Sequence, residues 1–400
     1  MAGMLERTGV FQPLDPDFMR DPYPYYRKLR DAGPIVKDGV TQWVASRHEV
    51  VSELLRHEGV RSDWPEPFQA LRMGDGAAKD FLLRVVLHRE GAAHTALRQV
   101  LSATMRAVPA AVTASRIGEL TDRILDEALD TGTIELVSAI AVPVPVAVSC
   151  DLLGIPREDE PLICQWGMST IKAFTMILPE AERSEVDSSI ERLRRYVDGA
   201  WRDPRGHPLG TALSDFERVA NGAFDRDEII DNVVFLLVSG FTTTVHLMAN
   251  MFGALLTHPD QWSRLRADPS LVNTAVEEVA RYDAPIQHIS RQAAARFEIA
   301  GETIRPGRVV HLLLAAANRD ERVLAEPDRF DVGRTPNPHL GFGAGRHACL
   351  GAGLGKLEAR TVLERIVQRC ATFGANGDLV RRPMQVFRSY ERLPAAVAAS

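Results

Sequence analysis

Disulfide patterning, membrane-spanning runs and strong positive charge are all missing from this sequence. Its four cysteines show no Cys-x-x-Cys spacing, which favours a reducing compartment over a disulfide framework. No run of about 18 uninterrupted apolar residues occurs, and residues 1–7 lack the apolar segment of a signal peptide. A net charge of −6 argues against nonspecific nucleic-acid binding. We therefore expect a cytoplasmic protein that uses neither a membrane nor a nucleic acid.

The chain has enough apolar residues for one large core. It contains 400 residues, 45% of them hydrophobic, and their even spread marks no internal boundary. Apolar residues recur mostly at helical spacing, whereas only short runs, such as 35–36, 43–44, 297–299 and 309–312, are typical of strands. The first two runs are predicted to pair as a small hairpin across Asp38-Gly39. We predict a mainly α fold with small β-sheets and a single domain over residues 1–400.

A glycine-rich stretch near the C-terminal end surrounds one cysteine. The glycines between residues 341 and 351 remove most side-chain bulk around Cys349 and let backbone N–H groups approach its sulfur. The proline-free segment from Gly351 to Cys370 predicts a helix whose N-terminal dipole also favours a negative sulfur. The stretch therefore indicates a place where a metal thiolate could form.

Three other interpretations of this stretch remain open from the residues alone. Cys349 could be a buried free thiol, the usual state of a lone cysteine inside a cell. A phosphate-binding loop fits less well, because no Lys-Ser/Thr follows the glycines and no β-branched strand precedes them. A zinc site built from His339, His347 and Cys349 would lack a convincing fourth ligand.

The run FGAGRHACLG closely resembles the haem-ligand loop of the cytochrome P450 family, Phe-x-x-Gly-x-Arg/His-x-Cys-x-Gly. Five residues match that pattern: Phe342, Gly345, His347, Cys349 and Gly351. The resemblance implies a haem-thiolate fold of the soluble bacterial type, with heme b (iron protoporphyrin IX) as cofactor and Cys349 as its axial iron ligand. It also implies that Phe342 packs beneath the cysteine and that His347 lies near a haem propionate. A cysteine thiolate in this class favours O–O cleavage.

Two stretches in the first hundred residues gain a role from the same resemblance. Residues 59–91 contain scattered prolines and glycines, so we expect a long loop, and in the family this region roofs the substrate pocket. His94 and Arg98 lie at i, i+4 spacing on one face of a predicted helix. Alone, the pair is typical of a solvated face, but it matches the propionate-binding pair of the family.

A long helix is predicted to begin at a capping box, Asp225-x-x-Glu228, and to continue for about 30 residues. In its middle lies the segment SGFTTT, residues 239–244, whose glycine and threonines are poor interior helix formers. The Thr243 hydroxyl could bond to the Ser239 carbonyl and bend or open the helix. An opened turn beside a haem would leave room for O2 and water.

The same segment resembles the oxygen-activation motif of the family, Ala/Gly-Gly-x-Asp/Glu-Thr-Thr/Ser, which implies catalytic roles for Gly240, Thr242 and Thr243. It departs from that motif at Thr242, where the family has an acid, and at Ser239. Because the family's acid and alcohol help to deliver protons, the proton route is left open. Hydroxyls and water could carry the protons, the substrate could supply a polar group, or the reaction could avoid oxygen insertion. Thr242 could also be a tolerated variation.

Three further motifs in the second half match the family. Glu278-x-x-Arg281 resembles its Glu-x-x-Arg pair, and Arg329 in Glu-Pro-Asp-Arg-Phe resembles the third member, which locks the meander beneath the haem. We assign these three residues a structural role, although such i, i+3 pairs are usually worth little on a surface. Arg291 resembles a propionate ligand by position; from the residues alone it is one more surface charge.

We expect the substrate to enter a mainly apolar pocket. Its walls would come from the roof, the long helix, the run 285–289 and the C-terminal segment, although any of these residues could instead be core. The predicted lining residues are Phe68, Val234, Leu237, Val238, Phe241, Ile286, Ile289 and Phe387.

The expected function is a monooxygenase that uses O2 to hydroxylate or epoxidise a small hydrophobic secondary metabolite. The chain shows no flavin or nicotinamide module, so the resemblance implies electrons from a ferredoxin and a ferredoxin reductase. Arg346, Lys356 and Arg360 could form the docking patch, or could be ordinary solvated charges. The alternative is an oxidase that forms C–C, C–N or C–O bonds or desaturates without oxygen insertion. A noncatalytic haem protein, such as a gas sensor, ranks third.

Overall fold

The computed structural model describes residues 10–106, 109–202, 208–220 and 222–400, so the expectation about residues 1–7 lies outside the described residues. Helices carry most of this part of the chain, and short strands form small sheets. The helices are α1 (Pro16–Arg20), α2 (Tyr23–Ala32), α3 (His48–Leu54), α4 (Glu66–Met73), α5 (Ala77–Arg84), α6 (Gly91–Met105), α7 (Ala110–Thr131), α8 (Pro143–Leu153), α9 (Glu160–Thr170), α10 (Glu180–Arg202), α11 (Pro208–Ala220), α12 (Arg226–Thr257), α13 (Pro259–Ala267), α14 (Val272–Tyr282), α15 (Leu314–Ala317) and α16 (Ala352–Arg369). The strands are β1 (Ile35–Asp38), β2 (Gln42–Ala45), β3 (Val60–Arg61), β4 (Thr133–Glu135), β5 (Ile289–Ala293), β6 (Phe297–Ile299), β7 (Glu302–Ile304), β8 (Val309–Leu312), β9 (Cys370–Ala375), β10 (Val380–Arg382), β11 (Ser389–Arg392) and β12 (Pro394–Ala399).

The long helix α12 is the centre of the fold. Its predicted capping box is confirmed, because Glu228 N–H donates to Asp225 Oδ1 at 2.8 Å and Asp225 N–H donates to Glu228 Oε2 at 3.4 Å. The helix has the length and hydropathy of a membrane span, with a mean hydropathy of 1.5 in its most apolar window, but 78% of that window is buried inside the protein. Its apolar residues therefore serve as core for the helices packed around it.

The strands hold the edges of the helical body together. The predicted hairpin is confirmed, since β1 and β2 pair with Val36 opposite Val44. β2 pairs in parallel with β8, and β5 and β3 complete a five-stranded sheet in the order β1-β2-β8-β5-β3. Because β5 carries Arg291, this sheet sets the position of one predicted propionate ligand.

The expectation of a long loop over residues 59–91 is wrong. This stretch forms β3, α4, α5 and a 3-10 turn at Val86–His88. Pro65 is the N-cap of α4 and Pro67 lies in its first turn, where a missing N–H costs no helical hydrogen bond. Gly74 and Gly76 occupy the gap between α4 and α5. The breaking residues therefore mark helix ends rather than an irregular segment.

Glycines end two of the helices in the middle of the chain. Gly132 follows α7 and Gly154 follows α8, and both adopt the left-handed conformation. A 3-10 turn at Ile171–Phe174 and residues 175–179 join α9 to α10. Helices α4 and α5, called the roof here after their expected role, are tied to α10, because Ala78 N–H donates to Asp187 Oδ1 at 2.8 Å. The roof is therefore an ordered part of the fold.

Candidate functional site

The cysteine loop packs closely against the end of α3. Cys349 N–H donates to the Phe342 carbonyl oxygen at 2.8 Å, which closes the loop on itself. Gly345 has a φ of 72°, and a Cβ at this position would overlap the carbonyl oxygen of Leu55. Only glycine lets the loop turn this way while passing so close to the end of α3. The glycines therefore fix where Cys349 lies.

The sulfur of Cys349 sits at the start of α16. The backbone N–H groups of Gly351 and Ala352 form hydrogen bonds to it, which favour the thiolate. The residue is exposed, yet burial by the surrounding chain is the largest influence on the thiol and raises its pKa. Its sulfur therefore faces a recess inside the protein rather than the outer surface. A bound cation would counter the effect of burial and stabilise the thiolate.

Three of the four side chains predicted to hold the propionates come together beside this loop, and the fourth, Arg291, lies near enough to interact with the charge of Arg346 in the loop. The His94 and His347 rings lie 4.3 Å apart, and Arg98 Nη2 donates to the Ala348 carbonyl at 2.7 Å. Arg291 is 9% exposed, and Nη1 donates to the Ser290 carbonyl at 3.0 Å. Burial lowers the pKa of Arg291 to about 10. No carboxylate among the described residues pairs with Arg98 or Arg291 at ion-pair distance.

This cluster fits the carboxylates of a haem. A buried guanidinium without a counter-ion is costly, and a propionate would supply both the charge and the acceptors. The cluster suits the propionates of heme b, and the accessible cysteine sulfur, which accepts two N–H groups, suits its iron. His94, Arg98, Arg291 and His347 would bind its propionates, and Cys349 its iron.

The sequence analysis missed Glu90, which organises the cluster. One of its carboxylate oxygens lies 3.1 Å from His347 Nε2 and accepts from the Ser62 N–H at 2.8 Å. Burial opposes ionisation of Glu90, but these hydrogen bonds and the nearby Arg346 charge outweigh it and hold the pKa at about 2. The sequence feature that could have identified Glu90 is an acid at the start of a predicted helix, four residues before His94.

One face of α12 is open where the rest of the helix is buried. Between Ile229 and Leu256, the residues that are half-buried rather than buried are Phe235, Ser239, Gly240 and Thr243. Positions 235, 239 and 243 follow one another at i, i+4 spacing and so share a face. The next residue, Thr244, lies against Gly355 of α16, with Oγ1 at 3.4 Å from where a Cβ would be. The open face therefore lies in the same region as the start of α16 and Cys349.

This geometry corrects the predicted contribution of α12 to the pocket. Val234, Leu237, Val238 and Phe241 are at most 1% exposed and pack in the core with α9 and α10. Phe241 fills the space above Gly167 of α9, where no side chain would fit. These residues are predicted to line the pocket because their side chains are apolar. On a helix that is apolar on all sides, apolar side chains do not identify the open face.

Of the two effects that the Thr243 hydroxyl could have on the helix, bending or opening, the structure does not show an opening. α12 is continuous from Arg226 to Thr257. The predicted bond is present, since Thr243 Oγ1 donates to the Ser239 carbonyl at 3.1 Å, and Thr242 and Thr244 bond in the same way to Val238 and Gly240. Each hydroxyl adds a bond to a carbonyl of the preceding turn without breaking the helix. Thr242 is fully buried, so its side chain lies away from the open face.

The remaining predicted pocket residues have mixed surroundings. Ile286 and Ile289 are half-buried, and Ile286 pairs with Phe387 in an isolated β-bridge. Phe387 is buried beside His246, with ring centroids 5.5 Å apart. Phe68 is half-buried and stacks on Trp64 at 4.5 Å. Phe174 was not among the predicted pocket residues, yet its ring lies 5.8 Å from that of Phe235 on the open face.

The predicted structural triad contains one wrong member. Arg281 forms two bonds to Glu278, at 2.6 and 2.8 Å, and both side chains are fully buried. The third side chain is Arg334, whose Nε lies 3.1 Å from both oxygens of Glu278. Arg329 instead pairs with Glu326 and is 53% exposed, and only its carbonyl accepts from the buried arginines. Arg334 therefore has the role that was assigned to Arg329.

A basic groove of about 1380 Å³ lies along α16. Apolar side chains such as Leu354 and Leu357 line it together with Arg106, Arg157, Lys356 and Arg360. Lys356 pairs with Glu277 at 2.9 Å and Arg360 with Glu364 at 3.6 Å, whereas Arg106 and Arg157 have no ion pair within the described residues. Arg346 does not line the groove, and it pairs with Glu90 at 3.1 Å.

Comparisons with known proteins agree with this arrangement. A family model described as "Cytochrome P450" matches residues 170–381. The biotin biosynthesis cytochrome P450 of Bacillus subtilis (strain 168) is 30% identical over 383 residues, which cover 94% of this chain and 96% of the relative. The structure of P450BioI in complex with an acyl carrier protein ligated to hexadec-9Z-enoic acid matches with a TM-score of 0.86, 29% identity and coverage of 96% and 99%. CxnD, a P450 for C–S bond formation in chuangxinmycin biosynthesis, matches with a TM-score of 0.84, 27% identity and coverage of 95% and 95%.

Proposed function

This chain belongs to the cytochrome P450 family of heme b monooxygenases, and from that premise we propose that it hydroxylates or epoxidises a small hydrophobic molecule of secondary metabolism. One observation carries the proposal. The Cys349 sulfur is accessible from inside the protein and accepts hydrogen bonds from two backbone N–H groups at the start of α16. Such an arrangement stabilises a thiolate ligand and tunes its electron donation.

Heme b, when bound, supplies the redox chemistry that activates O2. The chain supplies binding and proton positions. Arg98 and Arg291 would neutralise the propionates, while the hydrogen bond between Glu90 and His347 would hold that imidazole in place. Thr243 presents its hydroxyl on the open face of α12, one turn after Ser239, so these two hydroxyls are the groups available to hold water and pass a proton.

A test of this proton route compares Thr243→Val with Thr242→Val. Valine keeps the shape of threonine but removes the hydroxyl. We expect Thr243→Val to lower the rate of product formation by up to about 10²-fold, the lower end of proton-transfer contributions. The buried Thr242→Val should change it little. Equal effects of the two substitutions would contradict a specific role for Thr243.

The proposed electron donor is a ferredoxin supplied by a ferredoxin reductase. The groove along α16 supports this proposal, because Arg106 and Arg157 leave positive charge unopposed next to apolar side chains. An acidic carrier would gain both charge pairing and apolar contact there. Since all four cysteines are free, we propose that the enzyme works in the cytoplasm, where thiols remain reduced.

A second function remains a candidate because the acid of the usual proton relay is replaced by Thr242. An oxidase that couples or desaturates its substrate without oxygen insertion needs a different proton supply. The similarity to a P450 that forms a C–S bond supports this alternative. The open face of α12 carries hydroxyls and no carboxylate, which suits either reaction.

Labelled dioxygen separates the two functions. The purified protein is incubated with a compound that it converts, together with ferredoxin, ferredoxin reductase and ¹⁸O₂, and the product is examined by mass spectrometry. Label in the product is the expected result. An oxidised product without label would favour the coupling or desaturating oxidase instead. Screening for compounds that displace water from the iron, detected by absorption, supplies the candidate substrates.

A further inference from the structure

The roof helix α4 carries a guanidinium with spare donors. Arg72 Nε donates to the Met176 carbonyl at 2.8 Å, Nη2 donates to the Thr175 carbonyl at 2.7 Å, and Nη1 donates to Gln69 Oε1 at 2.9 Å. A guanidinium has five N–H donors, so these three bonds leave two without an acceptor. One spare hydrogen belongs to Nη1 and the other to Nη2, so each nitrogen keeps a donor that a carboxylate could accept.

The positive charge of Arg72 is unopposed. Within the described residues no carboxylate lies at ion-pair distance from it, and its three acceptors are all neutral. Burial lowers the pKa of Arg72 to about 10, so the surrounding chain removes most of its water. The residue nevertheless keeps accessible surface. A buried cation that is solvated only by carbonyl groups is costly unless an anion reaches it.

Arg72 lies next to the aromatic residues beside the open face of α12, because Thr175, whose carbonyl oxygen accepts from Arg72, directly follows Phe174. The charge of Arg72 lowers the pKa of His88, as does that of Arg291, although burial is the largest cause and brings the value to about 3. The His88 ring lies 6.5 Å from Phe174, and Phe174 lies 5.8 Å from Phe235. Both cations therefore lie near one imidazole, beside an aromatic wall that leads to Ser239 and Thr243.

We propose that Arg72 binds the carboxylate of the substrate, and that the substrate is an elongated apolar carboxylic acid. The two spare donors of Arg72 hold the acid head at the roof, and the apolar chain passes Phe174 and Phe235 toward the open face of α12. Oxidation then falls on the chain rather than next to the head. This inference rests on the proposed monooxygenase function and names its substrate class.

A matched set of ligands tests the proposal by binding rather than by turnover. Dodecanoic acid and dodecan-1-ol share one chain, and only the acid is charged. Each is titrated into the haem-loaded protein at neutral pH, and the change in haem absorption that follows loss of bound water gives the dissociation constant. We expect the acid to bind at least about tenfold more tightly than the alcohol, as hydrogen bonds to charged groups imply.

The variant Arg72→Met removes the spare donors and the charge while keeping an extended apolar side chain. It should weaken binding of dodecanoic acid by about 10- to 100-fold and change dodecan-1-ol by less than about twofold. Lys79→Met is the control, because Lys79 lies on the neighbouring roof helix α5 but pairs with the exposed Glu66. This control should leave both dissociation constants unchanged.

Three results would overturn the proposal. The native protein could fail to bind the acid more tightly than the alcohol, Arg72→Met could leave acid binding unchanged, or it could weaken acid and alcohol equally. The last result would mean that Arg72 only fastens the 175–176 backbone to the roof. None of them touches the monooxygenase proposal, which fails instead if the carbon monoxide complex lacks the signature of a thiolate ligand.

Discussion

A single sulfur decides whether this protein can act as a haem-thiolate enzyme. The Cys349→Ala substitution removes the proposed iron ligand while the backbone bond from residue 349 to the Phe342 carbonyl can still form. We therefore expect a folded protein whose reduced carbon monoxide complex lacks the red-shifted absorption of thiolate ligation. Cys164→Ala, which removes a thiol in α9, should keep that absorption. An unchanged spectrum for Cys349→Ala would exclude this ligand.

Two arginines five residues apart differ in what they contribute to stability. Arg334 is 10% exposed on its side chain and bonds both oxygens of the buried Glu278, whereas Arg329 pairs with Glu326 in solvent. We expect Arg334→Met to lower the free energy of unfolding by about 1.5–3 kcal/mol, the usual loss for bonds to a charged group. Arg329→Met should change it by less than about 0.5 kcal/mol. Thermal unfolding and haem retention measure the difference, and equal losses would contradict this assignment.

Side-chain direction explains why the triad and the pocket were only partly predicted. Both Arg329 and Arg334 lie in an irregular segment, where no periodicity states which side chain turns inward. On α12 the period is clear, but apolar residues surround the helix, so the open face at Phe235, Ser239 and Thr243 could not be chosen from the pattern. The functional assignments of the site residues remain predictions.

Close packing between helices α9 and α12 depends on a glycine. A Cβ at Gly167 would overlap the ring of Phe241, whereas a Cβ at Gly199, in α10, would meet nothing within 4 Å. Gly167→Ala should therefore cost about 1–3 kcal/mol of stability by overpacking. Gly199→Ala should gain about 0.5–1 kcal/mol, because alanine loses less backbone entropy in a helix. Melting temperatures of the two variants should move in opposite directions, and a loss in both would contradict the packing argument.

The helices and strands were predicted best where a pattern has a specific physical cause. The capping box at Asp225 and the hairpin at Val36 and Val44 each satisfy backbone groups in one defined way, and both are confirmed. The prediction for residues 59–91 is wrong because Pro65 and Gly74, which suggest an irregular segment, each lie at a helix end. Propensity identifies the residue that can end a helix, but neighbouring packing decides whether the helix forms.

Ionic contacts join distant parts of the chain into one body. Asp283, at the end of α14, pairs with Arg381 and Arg388 at 2.7 Å, and accepts from the Tyr23 hydroxyl of α2 at 3.2 Å. Burial opposes ionisation of Asp283, but these arginines outweigh it and hold its pKa at about 2. Contacts between residues so far apart in the chain leave no periodic signal in the sequence. The single domain over residues 1–400 stays a prediction, although such contacts favour it.

Acid should destabilise this protein well before its carboxylates titrate. Burial lowers the pKa of His246 and His288 to about 3, and neither ring nitrogen of either residue has a hydrogen-bond partner among the described residues. The unfolded chain binds protons at these imidazoles below pH 6.5 and the folded chain does not, so the free energy of unfolding falls as the pH falls from 6.5 toward 3. Each buried histidine contributes about 1.4 kcal/mol per pH unit in this window.

Thermal unfolding from about pH 7 to about pH 5 should therefore show a steep loss of stability. His246→Phe should reduce the dependence of stability on pH by the contribution of one histidine, since phenylalanine keeps a ring beside Phe387 without a titrating group. A slope that is flat in the native protein, or unchanged in His246→Phe, would mean that these rings gain protons in the folded state.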